Sequence, residues 1–389
     1  MKEGRLRVLH WYPNLLGGGG VASAVMGLAK AQTQLGAEVV IAAVQPRNGL
    51  SRVDRPLRET GARVMLWEPK WSFVRGKMGI RGLSSRDKDR LTRLRPDVVH
   101  VHGEFNPDNL RVPSLFPCPK ILSPHGAFHP VVRARHRIAK MAYIELAKRV
   151  LYRKVAFHAL SPMERAHIAL ICPEGHVVTC PNGPSPRMEA FFDAYAESSA
   201  APPHQVVFFF AGRLDVYAKG LDIMLDAFAA ASRDLPDKKL VLRLAGADFG
   251  GGRGRLESQA RRLGIQEKVE FLGFLEDDEL AGAYAATDIY LQISRCEAFS
   301  LSVVDALLFG KAVILGTGAG NGSYPEICSL PHVALVAPDA QQAARAMREA
   351  VENIEFLSRA GAENRSVVRK FLSWNGAAAC TLEAYRDLV

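Results

Sequence analysis

Residues 205–228 read QVVFFFAGRLDVYAKGLDIMLDAF, and their reading decides the fold. The first seven are apolar at nearly every position, whichever way alternate side chains point. A strand of that kind is buried on both faces, as in a parallel sheet covered by helices above and below. A Gly-Arg turn, a short loop with Lys219 and a helical stretch from Gly220 follow, the strand–loop–helix step of an open α/β sheet. The same rhythm repeats in KLVLRLAG (239–246), KVEFLGF (268–274), DIYLQIS (288–294), KAVILG (311–316) and VALVAP (333–338). The first half carries it too, in RVLHWY (7–12), EVVIAAV (38–44), PDVVHVHG (96–103), AFHALS (156–161) and VVTCPNG (177–183). Between the halves, PSPRMEAFFDAYAESSAAPPHQ (184–205) breaks the pattern with four prolines. The pattern predicts an α/β protein of two doubly wound Rossmann-like domains facing across a cleft. The boundaries are expected at 1–187 for the first domain, 188–204 for a linker and 205–355 for the second domain. Helices over 356–389 are expected to pack back toward the first.

A chain of 389 residues, 48% apolar and 23% charged, suits two globular domains. No run reaches the ~20 apolar residues of a spanning helix. The apolar run at 8–12 is too short for a secretory signal core. Cys118, Cys172, Cys180, Cys296, Cys328 and Cys380 show no paired metal spacing, so a reduced cytoplasmic protein with buried thiols is expected. The net charge of +10 is unevenly spread: residues 1–200 carry +14 and residues 201–389 carry −4. A basic first half calls for an anionic partner, such as a membrane surface or a phosphorylated acceptor. No nucleic-acid-binding module is present, which argues against that partner.

Ligands of open α/β sheets bind beyond the carboxyl ends of the strands. Arg213 and Lys219 lie there, ahead of a helix N-terminus, and together form an anion site. A second segment, CEAFSLSVVDALLFGKAVI (296–314), puts Glu297 in the turn after a strand. The amides of Phe299, Ser300 and Leu301 are expected to be free donors at the helix start, suited to phosphate. Glu297 can accept hydrogen bonds from hydroxyls, and Asp305, with apolar flanks, lies on or near the buried side. The acidic run EDDEL (276–280) begins a helix and reads as dipole complementarity rather than a metal site. Glycines 17–20 lack the Lys-Ser/Thr of an ATPase phosphate loop and serve a sharp turn with close backbone approach.

Taken together, these residues resemble the donor site of retaining glycosyltransferases of the two-Rossmann GT-B type, above all family 4. The residues that carry the resemblance are Gly212–Arg213, Lys219–Gly220, and Glu297 with Asp305 in the second acidic place. NLLGGGGVA (14–22), DVVHVHG (97–103), SPHGAF (123–128), HALSPMERAHI (158–168) and CPNGP (180–184) extend it over nearly the whole chain. The resemblance implies that Arg213 and Lys219 hold the donor diphosphate, Glu297 the sugar hydroxyls and Asp305 the ribose. It places His125 near the anomeric centre and Gly18 and Gly19 close to the diphosphate or acceptor. Phe274 and Leu275 would lie beside the base. It implies no metal and no cofactor beyond the nucleotide diphosphate sugar, with UDP as the expected nucleotide. Two features depart from the pattern: Ala298 and Ser300 replace glycines, and Asp305 is one methylene shorter than Glu. The alternatives are a non-hydrolysing UDP-sugar 2-epimerase, which shares the architecture, and a non-catalytic sugar-nucleotide-binding relative.

The first domain would bind the acceptor. VVRARHRIAKMAYIELAKRVLYRKVAFH (131–158) interleaves eight basic residues with apolar ones, the signature of a helix at a membrane surface. WEPKWSFVRGKMGIRGLSSR (67–86) adds two tryptophans and further arginines. The segment is similar to transferases of bacterial exopolysaccharide assembly. Such a resemblance implies a saccharide or lipid-linked acceptor and a cytoplasmic protein, peripheral at the inner face of the membrane.

Overall fold

The computed structural model describes residues 5–44, 54–67, 70–71, 81–195 and 205–389, which fall into two units. The first comprises Met1–Pro186 with Ser373–Val389, and the second Arg187–Leu372.

The strands of the first unit are β1 (Arg7–Trp11), β2 (Glu38–Val44), β3 (Arg63–Trp67), β4 (Lys70–Trp71), β5 (Arg81–Gly82), β6 (Val98–His102), β7 (Lys120–Ser123), β8 (Ala156–Ala159) and β9 (Val177–Thr179). Seven of them form a parallel sheet in the order β3-β2-β1-β6-β7-β8-β9, while β4 and β5 pair with each other antiparallel. Alternate residues feed separate cores. Leu9, Trp11, Val99, Val101 and Phe157 pack on one face, with Ile144, Ala147 and Ile168 of the helices there. Val8, Ile41, Val98 and Ile121 pack on the other, against Val25 and Ala29 of helix Gly20–Gln34 and Leu382 and Tyr385 of helix Trp374–Leu388. Helix Gly20–Gln34 closes near Gly36, whose φ is +93°. The Gly36 amide donates to Thr33 O and the Ala37 amide to Gln32 O, a Schellman pair.

The second unit holds β10 (Gln205–Ala211), β11 (Lys239–Ala245), β12 (Val269–Gly273), β13 (Ile289–Gln292), β14 (Ala312–Gly316) and β15 (Val333–Val336), parallel in the order β12-β11-β10-β13-β14-β15. The triple phenylalanine of β10 explains its apolar run. Phe208 and Phe210 join the core that includes Phe228 and Leu242, while Phe209 turns the other way, edge-on to Tyr284 at 5.2 Å. Both sheets reverse direction beside their first strand, at β1/β6 and β10/β13. That switch point leaves a crevice between the loops that leave the two strands.

The structure corrects three expectations. Residues 187–195 are not a free linker: Phe192 is buried against Phe309, and Asp193 pairs with Arg369 at 2.7 Å. The apolar side chains of AFFDAY give that segment a core to join, so the second unit starts at Arg187. Residues 196–204 of the expected linker lie outside the described residues. The C-terminal segment divides: helix Ile354–Phe371 stays with the second unit, and only Ser373–Val389 belongs to the first. Trp374 anchors it, its indole N–H donating to Pro184 O at 2.7 Å. The cysteines are not all free thiols, since Cys180 and Cys380 form a disulfide that joins the end of β9 to this last helix. Two hundred residues separate them, so sequence spacing gave no hint of the pair.

The basic segment 131–158 is likewise not one helix. It breaks between Pro130–Ala134 and Arg137–Val150, where His136 takes a left-handed φ of +57°, and it ends in β8. Residues 72–80 of the tryptophan-bearing loop lie outside the described residues.

Candidate active site

In the second unit the site is built where β10 and β13 end. Gly220 starts helix Leu221–Asp234 with φ +64°, and a Cβ there would lie 2.0 Å from Ile293 O. Only glycine allows this approach, which lays the Lys219 loop against the end of β13. Ala218 O then accepts the amides of Arg295 and Cys296, at 3.0 and 3.3 Å. The Arg295 guanidinium clamps the carboxylate of Asp222 with bonds of 2.7 and 2.8 Å and lies over the Tyr217 ring. Held in this way, Lys219 forms an ion pair with Glu297, both partly buried. Glu297 is fixed through its backbone as well: its amide donates to Gly318 O and its carbonyl accepts from Gly320, each at 2.9 Å.

Arg213 is exposed, with its guanidinium 5.0 Å from the centre of the Phe249 ring and no acidic partner among the described residues. The stacked aromatic orients the cation without neutralising it. Arg213 and Lys219 therefore follow β10 together, with one positive charge left over after Glu297 is paired.

The helix start at Ser300 differs from expectation. The Ser300 amide is not free: it donates to Asn321 Oδ1 at 2.7 Å, while Asn321 Nδ2 donates to Ser300 O at 3.1 Å. A buried amide donor must find a partner, and the side chain of Asn321 supplies it. Phe299 and Leu301 are buried on either side. Asp305 is 1% exposed on helix Leu301–Leu308. Burial raises the Tyr290 hydroxyl pKa, and the charges of Asp305 and Glu297 add to the effect, so both acids act on the same buried ring. Phe274 is exposed after Gly273, under the Arg187 guanidinium, and Leu275 follows it half-buried. The acidic run beyond serves a helix cap: Glu276 and Glu279 form a reciprocal capping box, and Arg187 pairs with Asp277.

In the first unit, Gly18 and Gly19 take φ +69° and +87° where β1 gives way to helix Gly20–Gln34, and a Cβ at either would meet nothing within 4 Å. His125 follows β7 with a left-handed φ of +51°, a strained state for a non-glycine residue. Glu164 holds the turn: its carboxylate accepts the Gly126 amide at 2.6 Å and the Leu160 amide at 2.8 Å. His125 Nε2 meets His102 Nδ1 at 3.1 Å, and His102 Nε2 meets His10 Nδ1 at 2.8 Å. The other two nearby histidines are structural: His129 caps helix Pro130–Ala134 through Nδ1, and His136 makes the helix break.

His10, His100 and His102 are the one group of three or more potential ligands clustered among the described residues. Their geometry is that of hydrogen bonds. Two imidazole nitrogens on one tetrahedral zinc stand ~3.3 Å apart, given bonds of about 2.0–2.1 Å. Here His10 and His102 touch directly at 2.8 Å, and His10 Nε2 already meets Gln32 Oε1 at 2.8 Å.

Arg213, Lys219, Glu297 and His125 were chosen from the sequence; Asp222, Arg295 and Glu164, which brace their loops, and Asn321, which holds Ser300, were not. Asp222 and Arg295 each lie within three residues of a chosen residue, so proximity in sequence was an available signal. Asn321 carries none.

Residues 18–186 match Glycosyltransferase Family 4, and residues 191–367 match Glycosyl transferases group 1. Among curated relatives, mannosylfructose-phosphate synthase of Agrobacterium fabrum is 26% identical over 106 residues, 26% of this chain and 23% of that protein. A D-inositol 3-phosphate glycosyltransferase of Streptomyces bingchenggensis is 28% identical over 216 residues, 52% of this chain and 46% of that protein. The matched stretches thus span under half the length of these relatives. Among solved structures, sucrose-phosphate synthase from Thermosynechococcus elongatus aligns with a TM-score of 0.74 at 18% identity, over 99% of each chain. HepE of Anabaena, solved with UDP and glucose, aligns with a TM-score of 0.74 at 17% identity, over 99% of this chain and all of that one. The fold and the matched domains define a glycosyltransferase with two Rossmann-like units, the GT-B fold. The chain belongs to family 4 of that class, and the matched families are transferases rather than epimerases.

The buried histidines set an acid limit on stability. Burial lowers His10 and His158 from 6.5 to about 4 and His125 to about 3, and His100 and His102 fall well below 6.5. Between those values and 6.5 the unfolded chain binds protons that the folded chain refuses, so these groups lower stability as pH is lowered. Glu104 and Glu164, pushed up to about 7 by burial, oppose this between 4.5 and 7, where the folded chain keeps protons that the unfolded one releases. Five rings outweigh two carboxyls. The midpoint of thermal unfolding, followed by circular dichroism, should drop steadily as pH is lowered from 6.5 to 4; a flat profile would show the rings to be charged in the folded state.

Proposed function

We propose that this protein is a retaining glycosyltransferase that moves a hexose from a nucleotide diphosphate sugar, UDP-linked, to a saccharide or lipid-linked acceptor in cell-surface polysaccharide synthesis. The observation that carries this reading is the Lys219–Glu297 pair beside the unneutralised Arg213, all at the switch point of the second sheet. Breaking a sugar–phosphate bond builds negative charge on the diphosphate and positive charge on the ring. Arg213 and Lys219 stabilise the first, and Glu297, released from Lys219 as the diphosphate arrives, accepts hydrogen bonds from the sugar hydroxyls. Two cations take the place of a metal, so transfer proceeds without one. The base lies against Phe274 and Leu275. The ribose falls to Asp305, whose burial and short side chain make the contact water-mediated. Phosphate meets the amides of Phe299 and Leu301 but not that of Ser300, which is engaged. His125 faces the sugar, and Gly18 and Gly19 admit close backbone approach. The solved structure of HepE with UDP and glucose supports the choice of nucleotide.

The lipid-linked acceptor rests on helix Arg137–Val150. Ile144 and Ala147 face its own core, yet Ile138 is 86% and Met141 53% exposed, among Arg137, Lys140, Lys148 and Arg149. Apolar side chains ringed by cations suit the anionic face of a bilayer, where each basic residue adds about 1 kcal/mol. Among the described residues no helix is long and apolar enough to cross one; the proposed place of the protein is the inner membrane face, peripheral and cytoplasmic.

Three experiments test these readings. In a thermal-shift screen of UDP-, GDP- and ADP-sugars, UDP-sugars should stabilise the protein most. Lys219→Ala and Glu297→Ala should each lower transfer by about 10²–10³-fold while the fold persists by circular dichroism; near wild-type turnover in both would reject the site. In vesicle co-sedimentation, the chain should bind anionic and not zwitterionic bilayers, and Ile138→Glu with Met141→Glu should abolish binding without changing Tm. Equal binding to both vesicle types would reject the membrane reading.

A further inference from the structure

We propose that a one-way chain of hydrogen bonds through His102, His10 and Gln32 locks His125 in its Nε2–H tautomer, leaving Nδ1 as a fixed acceptor for a substrate hydroxyl. This rests on the reading of His125 as a sugar-facing residue and adds which atom it presents, in which protonation state, and what enforces it. His102, His10 and Gln32 are then positioning residues, remote from substrate.

The direction of the chain follows from its fixed points. Thr381 donates its hydroxyl hydrogen to Ala377 O at 2.9 Å, so toward Gln32 it can only accept. The atom of Gln32 at 2.9 Å from Thr381 Oγ1 is therefore the amide nitrogen, and Oε1 points at His10. A carboxamide oxygen cannot donate, so His10 Nε2 carries a hydrogen. A neutral imidazole has only one N–H, which makes His10 Nδ1 an acceptor and His102 Nε2 the donor to it, over 2.8 Å. By the same step His102 Nδ1 accepts, and the hydrogen of the 3.1 Å contact sits on His125 Nε2. His125 Nδ1 is left with its lone pair and no hydrogen-bond partner among the described residues.

A second branch points the same way. Gln32 Nε2 also donates to the Tyr385 hydroxyl at 3.2 Å, so that hydroxyl donates onward to His100 Nδ1 at 2.5 Å. His100 Nε2 then donates to Ser123 Oγ, Ser123 to His158 Nδ1, and His158 Nε2 to the Cys180 carbonyl, which can only accept. Both ends are pinned by backbone carbonyls, so the direction of the whole set follows from its partners. The rings are neutral because burial disfavours their charged forms. Adding a proton to any of the other rings would set two donors against each other, and at His125 burial disfavours the charged form.

The arrangement matters because a histidine beside a reacting sugar could act as an acid, a cation or an acceptor. A neutral Nε2–H ring at the end of this chain presents Nδ1 as an acceptor and no N–H toward the sugar. It can orient a hydroxyl without adding positive charge where the ring develops its own.

Long-range ¹H–¹⁵N NMR of the full chain labelled with ¹⁵N-histidine at neutral pH reads the tautomer directly. The His125 signals are assigned by their loss in His125→Gln. The expected pattern is a protonated Nε2 and a bare Nδ1. His102→Phe, which removes the acceptor but keeps a ring, should populate the Nδ1–H form and lower kcat/KM ~10-fold, the worth of about one hydrogen bond. His102→Asn offers Oδ1 near the lost Nδ1 and should restore the Nε2–H form and most of the turnover. An Nδ1–H ring in the wild-type protein, or a tautomer unmoved in His102→Phe, overturns the proposal. The wild-type spectrum needs no variant to fold and no turnover. Full transfer activity in His125→Gln alongside the expected spectrum would instead reject His125 as a sugar-facing residue, and with it the role given to Nδ1.

Discussion

The absence of a side chain at Gly220 governs the second unit's site. Any Cβ there would collide with the Ile293 carbonyl, so the loop from Arg213 to Lys219 can pack onto the end of β13 only because this residue is glycine. From that contact the rest follows. Ala218 O takes the amides of Arg295 and Cys296, Arg295 reaches Asp222, and Lys219 arrives at Glu297. Two loops 78 residues apart in sequence are made into one structure by a close backbone approach and an ion-pair clamp. A site assembled in this way keeps Arg213 and Lys219 together after β10, with Lys219 held by Glu297.

The first unit solves a different problem. It brings polar rings into the face of a sheet that should be apolar, and each nitrogen must be satisfied there. Register does this: His10 lies opposite His100 on β1 and β6, and His102 opposite Ser123 on β6 and β7. The covering helices supply Gln32, Thr381 and Tyr385, two of them from the last helix of the chain. The Cys180–Cys380 bridge and Trp374 fix that helix over the sheet, so the polar seam depends on a segment far away in sequence.

Much of this was legible from residue patterns. Apolar runs such as VVFFFA report burial on both faces, which only a covered parallel sheet provides, and so most strands were legible, whereas β3 and β7 were not and the run at 177–183 is a strand only to Thr179. Arg213, Lys219 and Glu297 stood out because loops at strand ends have few reasons to hold such residues in that order. What escaped was long-range pairing. Nothing local in GNGSYPE marks Asn321 as the partner of the Ser300 amide. Nothing local pairs Cys180 with Cys380. The basic segment before β8 read as one helix because its charges recur throughout, yet the chain must turn at His136; its entry into β8 was legible in AFHALS. Asp305 was placed on the buried side by its flanks, and it is buried, but the sequence did not reveal that its charge would bear on Tyr290.

The loops after β10 and β13 are proposed to hold a nucleotide diphosphate sugar. The decisive measurement is a crystal structure of the protein grown with a UDP-sugar. The expected result is the diphosphate against Arg213 and Lys219, with Glu297 turned from Lys219 to the sugar hydroxyls. Density for the nucleotide elsewhere, with the Lys219–Glu297 pair intact, would contradict it.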